Sequence, residues 1–433
     1  MRSRYWRKAE VRITEWDKQL TSLGELLDYL VSHGADFRRW KSLSASSKRI
    51  EPLFVLILRL NLESAPSLER ITFKKHVSEN APNMNLAYPY TINRGPAWEN
   101  SDANIISNHY CISRTALPNL RCVDFGFVPC DFMFDRPSPL LTGLTHLNLE
   151  IDRDTVWIAL SMRPFFSANS QLETLSLSSK ACTASNRDML VESKDPPIEL
   201  LQLPSLSINA TGPRHLNWVL SLLQMIDAPG LESFTLGLDN SWNYNHGLLA
   251  YIATGSTPAQ RRRHNWHSDT EPVPTRIGPI YPALHSFDIS KVEASYEALE
   301  GMLLPLSTVA CLSIGHYDDH LRVLSSSRNM LPNLVALQIT DKCNTSAVAR
   351  CLYRRRELGI PVKDIIPRFT GHRRAKLCHY RWWFENEATI FNKCDDLLDL
   401  DLTDDENICE RTGSSSTALQ NTANVSILQS LVG

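Results

Sequence analysis

A short phrase, Leu-Pro-x-Leu-x-x-Leu-x-Leu with substitutions, recurs along this chain and limits its fold more than any other feature. The clearest copies are LPNLRCVDF (117–125), GLTHLNL (143–149), QLETLSL (171–177), PGLESFTL (229–236), PALHSFDI (282–289) and LPNLVALQI (331–339). Weaker copies are PSLERITF (66–73), VACLSI (309–314), FRRWKSLSA (37–45) and LPSLSI (203–208). The first apolar positions read as Trp40, Leu68, Leu120, Leu144, Leu172, Leu206, Leu231, Leu284, Val309 and Leu334. The steps between them are 28, 52, 24, 28, 34, 25, 53, 25 and 25 residues. The two long steps are close to double the usual one, so each holds either a degenerate copy or an insertion.

The physics of the phrase is specific. The last two apolar residues of L-x-x-L-x-L are two apart, so both point to one side of a short strand. The first apolar residue turns the chain into that strand. Stretches able to form helices lie between the copies: 155–169, 214–227, 295–306 and 345–359. Trp157, Leu160 and Met162 make one loose apolar stripe, and Leu216, Val219, Leu222 and Leu223 another. A single strand and helix cannot bury their own apolar faces, but stacked units can. The expectation is therefore an α/β leucine-rich-repeat solenoid. It is a curved horseshoe with parallel strands on the concave face and helices on the convex face. An ordinary layered α/β domain, with its similar strand–helix alternation, is the competing architecture.

The solenoid is expected to span 1–368. It opens with a strand near Ala9–Ile13, a helix over 20–34 and a buried helix over 52–61. Residues 77–112 and 253–275 read as irregular insertions, and 179–198 as a polar connection. The second insertion carries Arg261, Arg262, Arg263 and His264, a run that binds phosphate in some settings and is more often a solvated loop. IPVKDIIP (360–367) supplies a last strand, 369–394 a basic aromatic C-terminal cap, and 395–433 an acidic then polar tail without fixed structure.

Composition excludes several classes of function. The 433 residues are 43% hydrophobic and carry 45 basic against 47 acidic side chains, a formal charge of -2. Such a chain can build a large core and is not disordered in bulk. It has no general attraction to nucleic acid or a membrane surface, and no apolar run is long enough to span a bilayer. The basic start lacks an apolar signal region, and the 10 cysteines are scattered without zinc-like spacing. A reduced intracellular protein, cytoplasmic or nuclear, is the expectation. No phosphate-binding glycine loop, nucleophile elbow, zinc-protease or kinase motif is present, so catalysis and cofactors have no positive support. In GHYDDH (315–320), His316 and His320 would share a helical face, but the place just after a strand favours a capping turn. Cys378-His379, beside Trp382 and Trp383, reads as packing.

The register assigns a binding face. The residue between the two inward apolar positions points to the concave side: Thr72, Asp124, Asn148, Ser176, Thr235, Asp288, Ser313 and Gln338. So does the residue before the pair: Arg70, Cys122, His146, Thr174, Ser233, Ser286, Cys311 and Ala336. These are mostly polar, form no basic stripe and offer no aromatic stacking platform. A protein or peptide target suits them.

The phrase also resembles the repeat region of fungal F-box/leucine-rich-repeat proteins. So do the opening YWRKAEVRI with ELLDYLVSHG, and the closing RRRELGIPVKDII. The resemblance covers about residues 5–368. It implies a non-enzymatic substrate receptor of an SCF-type ubiquitin ligase, whose solenoid selects the target. The F-box is not evident ahead of Tyr5, so a Skp1-like adaptor is expected only if one exists. An F-box-less scaffold or inhibitor is the alternative reading. Less favoured is an enzyme or effector on an irregular solenoid, with 77–112 or 253–275 as a lid.

Overall fold

The computed structural model describes residues 9–13, 20–48, 51–75, 117–127, 139, 141–151, 162–179, 196–211, 215–238, 246–256, 278–315, 317–340 and 343–368. Among these described residues twelve strands form one parallel sheet. They are β1 (Ala9–Ile13), β2 (Trp40–Ser47), β3 (Arg70–Lys75), β4 (Cys122–Gly126), β5 (His146–Ile151) and β6 (Thr174–Ser179). The rest are β8 (Ser205–Ala210), β10 (Ser233–Leu238), β11 (Ser286–Lys291), β12 (Cys311–Ile314), β13 (Ala336–Thr340) and β14 (Asp364–Arg368). Each pairs with the strands before and after it in this order. β7 (Ile198–Glu199) and β9 (Ile226–Asp227) pair separately. The helices are α1 (Leu20–Ser32), α2 (Glu51–Leu62), α3 (Arg163–Ala168), α4 (His215–Met225), α5 (His246–Thr254), α6 (Tyr296–Leu303), α7 (Asp318–Leu324) and α8 (Thr345–Glu357).

The paired apolar residues build the core. Leu43, Ile71, Val123, Leu147, Leu175, Leu206, Phe234, Phe287, Leu312, Leu337 and Ile365 stand side by side across successive strands, all buried. A second buried row runs through Ala45, Phe73, Phe125, Leu149, Leu177, Ile208 and Leu236. Rings in equivalent positions stack: Phe73 on Phe125 at 5.7 Å and 4°, Phe234 on Phe287 at 5.5 Å and 10°. One continuous apolar core runs from Leu27 to Ile365. Helices close its far side with Leu53, Leu56, Ile57, Leu222, Leu249, Leu299 and Val348. Strands repeat about 4.8 Å apart and helices about 8–10 Å apart, so the stack curves with its sheet inside.

Backbone hydrogen bonds show why the Leu-Pro-x-Leu lead-in recurs. The N–H of Leu68, Leu120, Leu231, Leu284 and Leu334 donates three residues back, to Ala65, Leu117, Ala228, Tyr281 and Leu331, at 3.1–3.2 Å. Each is a tight turn with proline second: Pro66, Pro118, Pro229, Pro282 and Pro332. Proline there has its φ set in advance and no N–H to lose. The residue before each strand then offers one carbonyl to two N–H groups of the next turn. Glu69 O accepts from Arg121 (2.9 Å) and Cys122 (3.0 Å), and Val335 O from Lys363 (2.9 Å) and Asp364 (3.0 Å). Asn119 and Asn333, third in their turns, donate to Pro66 O (2.7 Å) and Ser307 O (2.9 Å) of the turn before. The turns are thereby stitched together as well as the strands.

Two sequence expectations are corrected, and one open alternative is decided. Leu206 is not the first apolar residue of its copy: it pairs with Leu175 and Phe234, and buried Leu203 holds the first position. The irregular steps of 34 and 25 then become 31 and 28. Neither long step holds another strand of the sheet, since β3 pairs directly with β4 and β10 with β11. The range given as a loop from 253 begins inside α5, where Ala253 is buried. Residues 77–112, 257–275 and 369–433, with their insertion, cap and tail readings, lie outside the described residues.

Candidate protein-binding face

Side chains between the buried rows emerge on the strand face. One row runs Ser42, Arg70, Cys122, His146, Thr174, Ser205, Ser233, Ser286, Cys311, Ala336 and Asp364. The next runs Ser44, Thr72, Asp124, Asn148, Ser176, Ser207, Thr235, Asp288, Ser313, Gln338 and Ile366. All sixteen residues assigned from sequence to the face lie in these rows. Sequence reasoning missed Ser42, Ser44, Ser205, Ser207, Asp364 and Ile366. Ser205 and Ser207 are found once Leu203 is recognised as the first position. Ser42 and Ser44 follow from the Trp-led copy at 37–45.

The face divides by chemistry. Its early strands are charged: Arg70 and His146 are exposed, and Asp124 takes Lys74 Nζ at 2.9 Å and Asn148 Nδ2 at 2.8 Å. His146 Nδ1 lies 2.8 Å from Thr145 Oγ1. From β6 to the start of β11 the rows hold only Thr174, Ser176, Ser205, Ser207, Ser233, Thr235 and Ser286. These hydroxyls both donate and accept, and such short side chains lose little entropy when ordered. Beyond them, Asp288 Oδ1 accepts from Ser290 N at 3.0 Å, and Gln338 Nε2 reaches Cys311 Sγ at 3.4 Å. Ser313 Oγ and Gln338 Oε1, neighbours across β12 and β13, meet no hydrogen-bond partner among the described residues.

The other candidates resolve as structure. His320 is buried in α7, with Nε2 2.9 Å from Val292 O and its ring edge-on to Tyr317. Tyr317 precedes the helix without a side-chain cap, and Asp318 and Asp319 sit in its first turn rather than capping it. His316 lies outside the described residues. Among the described residues no three His, Cys, Asp or Glu gather as metal ligands. No helix among them is long and apolar enough to cross a membrane.

Two buried groups escaped sequence reasoning. Arg355 of α8 is 0% exposed; its Nη1 donates to Leu324 O and Met330 O and its Nη2 to Leu331 O, each at 2.9 Å. It ties the last helix to the loop of the turn before it. Burial lowers its pKa, and it also pushes the neighbouring Cys351 thiol up to about 11. Asn169, also buried, accepts Leu144 N at 2.9 Å and donates to Leu141 O (3.0 Å) and Phe165 O (2.8 Å). The 141–144 turn, with Gly143 at φ +76°, is thus closed by a side chain from the following turn.

No protein-family model matches the chain, and no curated protein matches it. Among solved structures, the leucine-rich-repeat-containing protein LegL7 from Legionella pneumophila is similar at 13% identity, with a TM-score of 0.42. That match covers 88% of this chain and 99% of the LegL7 chain. A likeness this distant carries no weight for function. The leucine-rich-repeat solenoid stands on the register, burial and turn bonds described above.

Proposed function

We propose that this chain is a protein-interaction solenoid that takes a protein or peptide surface on its strand face. The observation that carries this reading is the pair of mostly polar rows over eleven strands, with Ala336 and Ile366 as apolar members at the last strands. They extend about 48 Å along the sheet at the usual strand spacing. That length can supply the roughly 800 Å² per partner that a stable interface buries. Charged early strands suit recognition and steering, and the hydroxyl floor suits close approach of a convex partner.

Partner capture from the native cell, comparing Ser207→Arg with Leu304→Arg, tests the reading. Ser207 lies mid-floor, whereas Leu304 is exposed just after α6 on the helix side. Loss of one partner with the first variant alone, at unchanged melting temperature, supports it. Loss with the second alone sinks it. The resemblance of YWRKAEVRI and RRRELGIPVKDII to F-box/leucine-rich-repeat proteins supports a narrower role, a substrate receptor of a ubiquitin ligase. Recovery of Skp1 and a cullin with the full chain is its test; their absence leaves the scaffold role.

A further inference from the structure

Two buried polar atoms stand without hydrogen-bond partners on the strand face, and their residues are neighbours. Ser313 lies between buried Leu312 and Ile314, and Gln338 between buried Leu337 and Ile339, so both side chains turn to the concave side. The two residues pair across β12 and β13. Ser313 is 3% exposed, whereas Ser176, Ser207 and Thr235 of the same row are half-buried. Among the described residues Ser313 Oγ and Gln338 Oε1 meet no hydrogen-bond partner. Leaving such groups unpaired weakens a fold, and apolar side chains of the same shape would avoid that cost. The residues around them are positioned in advance. Gln338 Nε2 reaches Cys311 Sγ at 3.4 Å. Asp288, beside Ser313 on β11, accepts from Ser290 N at 3.0 Å. Ser313, the short member between Asp288 and Gln338, is thus the floor of a notch with held sides.

We propose that this notch takes a primary carboxamide, the side chain of an asparagine or glutamine on the bound protein. The inference rests on the strand face being the binding surface, and it names a group recognised there. Gln338 Oε1 only accepts, while the Ser313 hydroxyl donates and accepts. A carboxamide meets both: its NH2 donates to Gln338 Oε1, and its carbonyl accepts from Ser313 Oγ. It presents that donor and acceptor on one edge, which suits two groups standing side by side on adjacent strands. A trans main-chain peptide turns its N–H and C=O to opposite edges and meets only one of them. An anion is repelled by Asp288. An ammonium would exchange its hydration for two neutral groups, which do not repay it.

NMR of the full chain titrated with small amides is the test, and it needs no partner. In the wild type, propionamide is expected to move the Ser313 and Gln338 amide resonances, with half-saturation at about 100 mM or below. N-methylacetamide, a trans secondary amide, and propylammonium are expected to leave them in place. Ser313→Ala and Gln338→Leu are each expected to weaken propionamide binding about tenfold. Ser313→Ala keeps or raises the melting temperature, because the hydroxyl it removes had no partner. The proposal is overturned by the lack of a saturable shift in the wild type, by an equal response to N-methylacetamide or propylammonium, or by unchanged binding in both variants. A clear fall in melting temperature for Ser313→Ala also overturns it, since the hydroxyl would then serve the fold. None of these failures touches the Ser207→Arg comparison, so this inference and the strand-face reading are judged separately.

Discussion

Three successive arginines on α8 share a residue type, yet one is buried and two are exposed. Arg355 is sealed in, and its three bonds satisfy carbonyls that water cannot reach. Arg354 pairs with Glu357 at 2.8 Å on the surface, holding that carboxyl below its usual range, and Arg356 is exposed. Arg355→Met is therefore expected to cost about 3 kcal/mol or more in urea unfolding. Arg354→Ala is expected to stay within about 0.5 kcal/mol. Equal effects would refute the clamp. Asn169→Leu strands Leu144 N, Leu141 O and Phe165 O, and a loss of about 2–4 kcal/mol is expected. Cys351 adds a pH dependence. Its folded thiol titrates near 11, while an unfolded thiol titrates near about 8.5. Its stabilising contribution is complete below the unfolded value. Between the two values only the unfolded state ionises, so stability falls by roughly 1.4 kcal/mol per pH unit. Comparing unfolding of wild type and Cys351→Ala from neutral to alkaline pH checks this, since the variant lacks that part of the slope. Nothing in the sequence near Arg355 or Asn169 marks them, because their partners lie 24 to 31 residues away for Arg355 and up to 28 for Asn169.

The strands of the large sheet were legible one by one because each carries its own period-two pair, and α1, α2, α4, α6 and α8 because their apolar stripes are local, whereas α5 and α7 were not read as helices. Register was less secure where leucines crowd. In the run ELLQLPSLSI, Leu200, Leu201, Leu203 and Leu206 all look available as the leading residue. Pairing with β6 and β10 decides the matter, burying Leu200, Leu203 and Leu206 and leaving Leu201 63% exposed. Leu203→Ala is expected to cost about 2–5 kcal/mol and Leu201→Ala almost nothing. A reversed order in thermal or urea unfolding would show the assigned register to be shifted.

The whole molecule is a row of units in which each turn touches mainly its neighbours. Stability in such a stack is close to a sum of unit and interface terms. Phe234→Ala, which breaks the stack with Phe287 and the edge contact with Tyr281, is expected to cost about 3–5 kcal/mol. Loss of exchange protection should reach β8 and β11 first and β2 last. Uniform loss along the sheet would mean a single cooperative core instead. The sequence alone determined the repeating unit and, for most strands other than β8, which side chains turn inward, because those depend on spacings within a few residues. Tertiary structure decided which units are neighbours across the long connections, which leucine leads a crowded copy, and which polar residues lock one turn to the next. Those outcomes depend on contacts between segments far apart in the chain, and no local spacing encodes them.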